Sequence, residues 1–261
     1  MATDDGKDSE HYVFQAGGRG GGVYGVLPRS ELISPALLVA LMNTRPLDFY
    51  LKHVSTVYIG KTYSYSDAFI KQLPIKLPVN EDERAKAERI AKLAQQLTHL
   101  KGTLELKKRN RDNFPEPQSL RNLPARYDLY PLRQFIQGTP QAQTFKRSDV
   151  NFVQQTLSGS IAMGKTSLVL PNQLMVDVVQ AWIRLQTREH LRLDDLLSIS
   201  IPQNLAACQQ LLTDLSTLEK EIAALQTQLT DGEAEINNLV ADYYGLDIAD
   251  QKIIADFLGR F

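Results

Sequence analysis

Residues 159–166 read GSIAMGKT. The stretch fits Gly-x-x-x-x-Gly-Lys-Ser/Thr, a loop whose backbone N–H groups wrap nucleotide phosphates at the N-terminus of a helix. Such a loop needs a buried strand before it and a helix after it. The preceding residues, VNFVQQTL, are not a continuous apolar strand. The following residues, TSLVLP, favour a strand, and a helix begun at Thr166 would break at Pro171. No apolar strand ending in an aspartate for magnesium follows. The spacing therefore predicts a β-hairpin in which SIAM pairs with TSLVL and Gly164-Lys165 supplies a type II′ turn. Other reactive side chains are sparse. His11, His53, His99 and His190 show no metal-ligand spacing, and the single cysteine, Cys208, permits no internal disulfide.

The elements that must position any chemistry follow from apolar periodicity. Ile90, Leu93, Leu97, Leu100 and Leu104 recur at alternating spacings of three and four, a heptad seam on a helix over 81–110 with Gly102 as its weak point. Leu211, Leu215, Leu218, Ile222, Leu225 and Leu229 form a second seam on a helix over 203–244, continued through Gly232 to Ile236, Leu239 and Tyr243. Cys208 sits just before that seam as a packing residue. Both seams need a partner. An intramolecular antiparallel pair satisfies both within one chain, and a homodimeric coiled coil is the alternative.

Around the seams, residues 1–10 read as a polar tail and 11–80 as the first part of a small α/β lobe. Its strands flank the glycine-rich AGGRGGG, Ser34 caps a buried helix at 35–43 that opens on Pro35, and a second helix follows near 46–54. Residues 55–65 form strand or loop around Gly60, and a short helix over 66–73 is closed by Pro74. Pro115, Pro117 and Pro124 mark a linker at 111–127, residues 128–200 a mixed insert lobe, and residues 245–261 a C-terminal segment. The expected fold class is α+β, with two small lobes joined by the long helices.

Charge is unevenly spread over the 261 residues. The formal net charge is −1, but residues 1–100 carry +1, residues 101–192 carry +7 and residues 193–261 carry −9. A basic middle beside an acidic end fits either a face that meets a polyanion or two differently solvated surfaces. No apolar run approaches the roughly 20 residues of a membrane helix. The polar, acidic start is no secretory signal, so the expected compartment is the cytoplasm.

Residues 37–78, LLVALMNTRPLDFYLKHVSTVYIGKTYSYSDAFIKQLPIKLP, carry a leucine-rich helix, an aromatic Phe49–Lys52 segment, a glycine and aromatic loop, and an ending Phe69–Ile75. A second stretch, EINNLVADYYGLDIADQKII, spans 235–254. In this order the two segments resemble the C-terminal specificity region of TaqI-like adenine-N6 DNA methyltransferases and of the type IIG restriction-modification enzymes built on them. The likeness covers roughly 11–109 and 205–254, and the insert has no detailed counterpart. The chain lacks the family's Asn-Pro-Pro-Tyr segment, which holds a flipped adenine. Phe14-Gln15-Ala16 fails the methyl-donor loop at its third position, and Glu105-Leu106-Lys107 lies on the first long helix with no recognisable acidic partner before it to complete a metal-dependent nuclease centre. The resemblance thus implies a target-recognition module without catalytic residues or cofactor of its own. S-adenosylmethionine and magnesium are expected in the separate catalytic domains. Double-stranded DNA and a methyltransferase or nuclease domain or subunit are the expected partners, and no membrane is involved. The alternative is a coiled-coil scaffold that binds only proteins.

A recognition module holds phosphates with Arg and Lys and reads base edges with Arg, Lys, Asn and Gln. The candidates are Arg19 among its glycines; Lys61, Tyr63 and Tyr65 in the glycine and aromatic loop; Lys107, Lys108, Arg109 and Arg111 at the end of the first long helix; and Lys146 and Arg147 on the insert, with Lys165 beside them. For the helix-end cations, favourable charge at a helix C-terminus is an equal alternative to phosphate contact. Tyr63 and Tyr65 serve equally well as packing residues.

Overall fold

The computed structural model of the chain describes residues 13–15, 23–26, 28, 30–57, 63, 66–115, 129–136, 143–154, 158–163 and 166–260. It is an α+β protein of two compact units, residues 1–102 with 226–261 and residues 103–225.

In the first unit β1 (Val13–Gln15) and β2 (Val23–Gly25) pair antiparallel, Phe14 opposite Tyr24. The helix α1 (Pro35–Met42) starts where Ser34 Oγ accepts a hydrogen bond from the Leu37 N–H at 3.1 Å. It is apolar nearly all round, and Leu37, Leu38, Ala40, Leu41 and Met42 are all buried. The helix α2 (Arg45–Val54) is begun differently. Thr44 gives no side-chain cap; instead the Arg45 N–H donates to Asn237 Oδ1 at 2.7 Å, a cap lent from far along the chain. A one-turn helix α3 (Asp67–Ile70) precedes Pro74.

Two long helices contribute to both units: α4 (Glu81–Asp112) and α7 (Leu205–Tyr244). Within the first unit they run antiparallel. Lys86 pairs with Asp242 at 2.9 Å and Arg89 with Glu235 at 2.9 Å, so higher numbers on one helix meet lower numbers on the other. Between them Ala87, Ile90 and Ala94 of α4 join Ile236, Val240 and Tyr243 of α7 and the buried face of α1 in one core. Each buried leucine or isoleucine there contributes roughly 1.5–3 kcal/mol relative to exposure. Gly232 is required by this pairing, because a Cβ would lie 2.4 Å from Leu97 Cδ2. Gly102 has open space around it and lies within an unbroken α4. The second helix ends in a left-handed Gly245 (φ 73°), with Leu246 N–H returning to the Ala241 carbonyl at 2.9 Å. Asp247 then opens α8 (Ile248–Leu258) through a capping box with Asp250.

The second unit is built on an antiparallel meander, β5 (Val150–Gln154), β6 (Gly159–Met163) and β7 (Thr166–Leu170). Helix α5 (Gln173–Leu185), capped by Asn172, covers it with Met175, Val176, Val179 and Ile183. Two short ribbons complete the lobe: β3 (Leu129–Pro131) with β9 (Ser200–Pro202), and β4 (Thr144–Lys146) with β8 (His190–Arg192). The helix α6 (Leu193–Ser198) lies between β8 and β9. Phe114, Leu132, Phe145, Leu191, Ile201, Cys208, Leu211 and Leu215 belong to the same core as the meander and α5. Cys208 is fully buried, its thiol donating to the Pro202 carbonyl at 3.3 Å, and burial pushes its pKa up to about 11. That environment makes it a packing residue and disfavours the thiolate a nucleophile needs.

Candidate nucleic-acid interface

The nucleotide-loop question has a geometric answer. Residues 159–163 and 166–170 are two paired strands in register Met163 opposite Thr166, with no helix following the lysine. Gly164 and Lys165 themselves lie outside the described residues. Gly159 is explained by packing: a Cβ there would stand 2.5 Å from Val176 Cγ2 and 2.8 Å from Gln173 Oε1 of α5. The first glycine of the pattern is what lets the sheet approach the helix.

Of the sequence-derived candidates, Arg19, Lys61 and Tyr65 also fall outside the described residues. Tyr63 is half-buried, forms an isolated antiparallel bridge with Val57, and has the Lys52 ammonium 5.8 Å from its ring centroid. At the end of α4 most of the cations are already engaged. Lys107 pairs with Glu221 at 2.7 Å, Lys108 with Glu105 at 3.0 Å, and Arg111 donates to Asp112 through Nε and a terminal nitrogen at 3.0 and 2.7 Å. Arg109 is exposed and has no acidic partner among the described residues. The Glu-Leu-Lys triplet is divided between these pairs, Glu105 holding Lys108 and Lys107 reaching α7. Among the described residues no three His, Cys, Asp or Glu side chains are grouped to hold a metal ion.

The opposite charges of the chain's middle and end partly meet inside the second unit. Besides Lys107 and Glu221, Arg184 of α5 grips Glu219 of α7 with two hydrogen bonds at 2.8 and 3.1 Å. Some of the basic excess read from the sequence is thus paired with the acidic helix at the surface.

Lys146 and Arg147, neighbours in sequence, are placed differently. Lys146 lies on the exposed side of β4, where Thr144 and Lys146 alternate with the buried Phe145. Arg147 is part-exposed, donates to the Gln186 carbonyl and lies 3.6 Å from Glu189. Hydrogen bonds from Ser148 and the positive charge of Arg147 hold the Glu189 carboxyl below its ordinary range. Across the ribbon, β8 repeats the alternation, with His190 and Arg192 exposed and Leu191 buried. Thr144 stands opposite Arg192 and Lys146 opposite His190, so all four side chains share one face. His190 and Arg192 were not among the sequence candidates. The face they share with Lys146 depends on the pairing of segments more than 40 residues apart, which leaves no local signal in the sequence.

No helix among the described residues is long and apolar enough to cross a membrane. No family model and no curated protein matches the chain. Among solved structures it is similar to the HsdS subunit from Thermoanaerobacter tengcongensis, at 14% identity and a TM-score of 0.30, over 86% of this chain and 73% of that one.

Proposed function

We propose that this chain is the DNA target-recognition module of a restriction-modification system. The observation that carries the reading is the meeting of the two segments that resemble a methyltransferase specificity region. Residues 37–78 and 235–254 are far apart in sequence, yet they share one core: Leu37, Leu38, Leu41 and Leu47 pack with Ile236, Val240 and Tyr243. Their polar groups interlock as well. Tyr244 Oη donates to the Pro74 carbonyl at 2.8 Å, 170 residues away, and accepts from the Lys76 N–H at 3.2 Å. Tyr243 Oη donates to the Lys76 carbonyl at 3.0 Å, while Lys76 Nζ donates to the Tyr243 carbonyl at 2.6 Å and pairs with Glu83 at 3.1 Å. Burial pushes the Tyr243 phenol up to about 12, and the Lys76 contact holds the Glu83 carboxyl low, so this joint is neutral tyrosine against a closed ion pair near neutral pH. Two motif segments that must be read together are therefore parts of one object.

The finer assignment is to an adenine-N6 methyltransferase or type IIG restriction enzyme of the TaqI-like kind. Catalysis, S-adenosylmethionine and magnesium then belong to a partner domain or subunit, because this sequence holds no Asn-Pro-Pro-Tyr segment. Of the described candidates, Arg109 and Lys146 are the cations assigned to phosphates, and Arg19 keeps that role from the sequence alone. Lys107, Lys108 and Arg111 would first have to leave carboxylate partners. Selection of binding sites from a random duplex pool by the full chain tests the reading. The expected result is one enriched sequence, bound at least about 10³-fold more tightly than bulk DNA. Recovery of unselected sequence only would refute it. A scaffold role is the second reading, favoured by the apolar groove lined by Leu47, Tyr50, Leu246, Ile253 and Ile254, where Ile253 is 60% exposed. It predicts no DNA binding at any salt concentration.

A further inference from the structure

We infer that the outer face of the β4–β8 ribbon, Lys146 with His190 and Arg192, is a contact surface for the sugar-phosphate backbone of duplex DNA, an inference that rests on the DNA-recognition reading. The antiparallel register puts these side chains on one side and the buried Phe145 and Leu191 on the other. Directly opposed residues stand about 5 Å apart and diagonal ones about 7–8 Å, so Lys146 and Arg192 can hold neighbouring phosphates with His190 and the Thr144 hydroxyl between them.

Charge on this face is available. Lys146 has no acidic partner among the described residues, and the Arg192 side chain is 68% exposed with only a loose contact to Asp194 at 3.9 Å. Glu189, the carboxylate next to His190, is occupied by the Ser148 N–H at 3.2 Å and by Arg147. Arg147 is only part-exposed and is already engaged. It ties the ribbon to the end of α5 through the Gln186 carbonyl, and together with the Ser148 N–H it partly offsets the charge of Glu189, so that Glu189 and the exposed Asp194 are the carboxylates a phosphate would meet beside the ribbon. A two-stranded ribbon is also narrow enough to follow or enter a DNA groove. The ribbon is anchored at both ends, by the Arg147 N–H to the Glu189 carbonyl at 2.8 Å and by the Leu193 N–H to the Gln143 carbonyl at 3.0 Å.

The test compares the full chain with its Lys146→Gln, His190→Gln, Arg192→Gln triple variant. Fluorescence anisotropy follows a labelled duplex at several salt concentrations between about 50 and 200 mM, and thermal melting confirms that the exposed substitutions leave the fold intact. The expected result is an affinity loss of about tenfold or more at the low-salt end and a log–log salt slope shallower by about 2. Heparin and anionic vesicles serve as competitors. If the parent chain binds duplex and the variant binds it equally well with the same slope, the ribbon surface is overturned while the recognition reading stands. If the parent chain binds no duplex at low salt, both fall. If the variant loses heparin or vesicle binding but keeps duplex binding, the commitment to DNA is wrong.

Discussion

Replacing Gly159 by alanine separates packing from phosphate binding at the one sequence motif that points to an NTPase. The glycine sits on β6, the central strand of its sheet, with β5 on one side and β7 on the other, so the strand cannot yield. Val176 Cγ2, 2.5 Å from the new Cβ, belongs to a fully buried residue in the middle of the lobe's core. Ordinary carbon contacts lie near 3.5–4.0 Å, so about 1 Å of displacement is demanded of α5. Overpacking of this kind costs about 1–3 kcal/mol. The Gly159 backbone is outside the left-handed region, so alanine recovers about 0.4–1 kcal/mol of unfolded-chain entropy. The expected net destabilisation is about 1–2 kcal/mol by urea unfolding. Val176→Ala alone loses about 2 kcal/mol through lost burial and a cavity. In the double variant each change relieves the other, and the coupling energy should reach about 1 kcal/mol. Additive costs, or a stable Gly159→Ala protein that had lost ATP binding measured by calorimetry, would refute the packing explanation.

Two further outcomes follow from the cores. Asn237→Ala removes the acceptor that caps α2 and should cost about 1 kcal/mol in chemical unfolding, while Asn237→Asp keeps an acceptor at a helix N-terminus and should retain most of that stability. Cys208 gives an alkaline instability: the unfolded thiol ionises near 9.0 but the native one only near 11, so the unfolded state releases its proton first and stability falls across that window. The loss is of order 2–3 kcal/mol, and Cys208→Ala should flatten the unfolding-versus-pH curve between those limits.

The long helices were the most legible elements, because a heptad seam is a local pattern that survives without knowledge of the partner. Ser34 and the pairing of 159–163 with 166–170 were legible for the same reason: a cap and two strands adjacent in sequence are written in a few neighbouring residues. What escaped was non-local. The cap of α2 comes from Asn237, and the glycine requirement at 232 comes from Leu97 on another helix. The C-terminal helix α8 carries its signal in Asp247 and Asp250, a capping pair that a reading centred on leucine spacing passes over. For the candidate interface, a run such as Lys107-Lys108-Arg109 shows charge without showing whether it is spent. Two of the neutralising carboxylates, Glu105 and Asp112, are near neighbours, but Glu221 is 114 residues away from Lys107. Charge alone singles out Lys146 in the sequence, and its place on one face with His190 and Arg192 depends on the pairing of two strands more than 40 residues apart.

The first unit is discontinuous in sequence, and that fixes an order of events during synthesis. Residues 103–225 contain everything their own core requires, down to Leu215, and can collapse as soon as they leave the ribosome. The N-terminal lobe is made earlier, but its core around Leu37, Leu38 and Leu41 stays incomplete until Ile236, Val240 and Tyr243 emerge. A nascent chain stalled before residue 236 would therefore hold every core residue of the second unit but lack the α7 side of the first unit's core, and the last turns of α7 complete it.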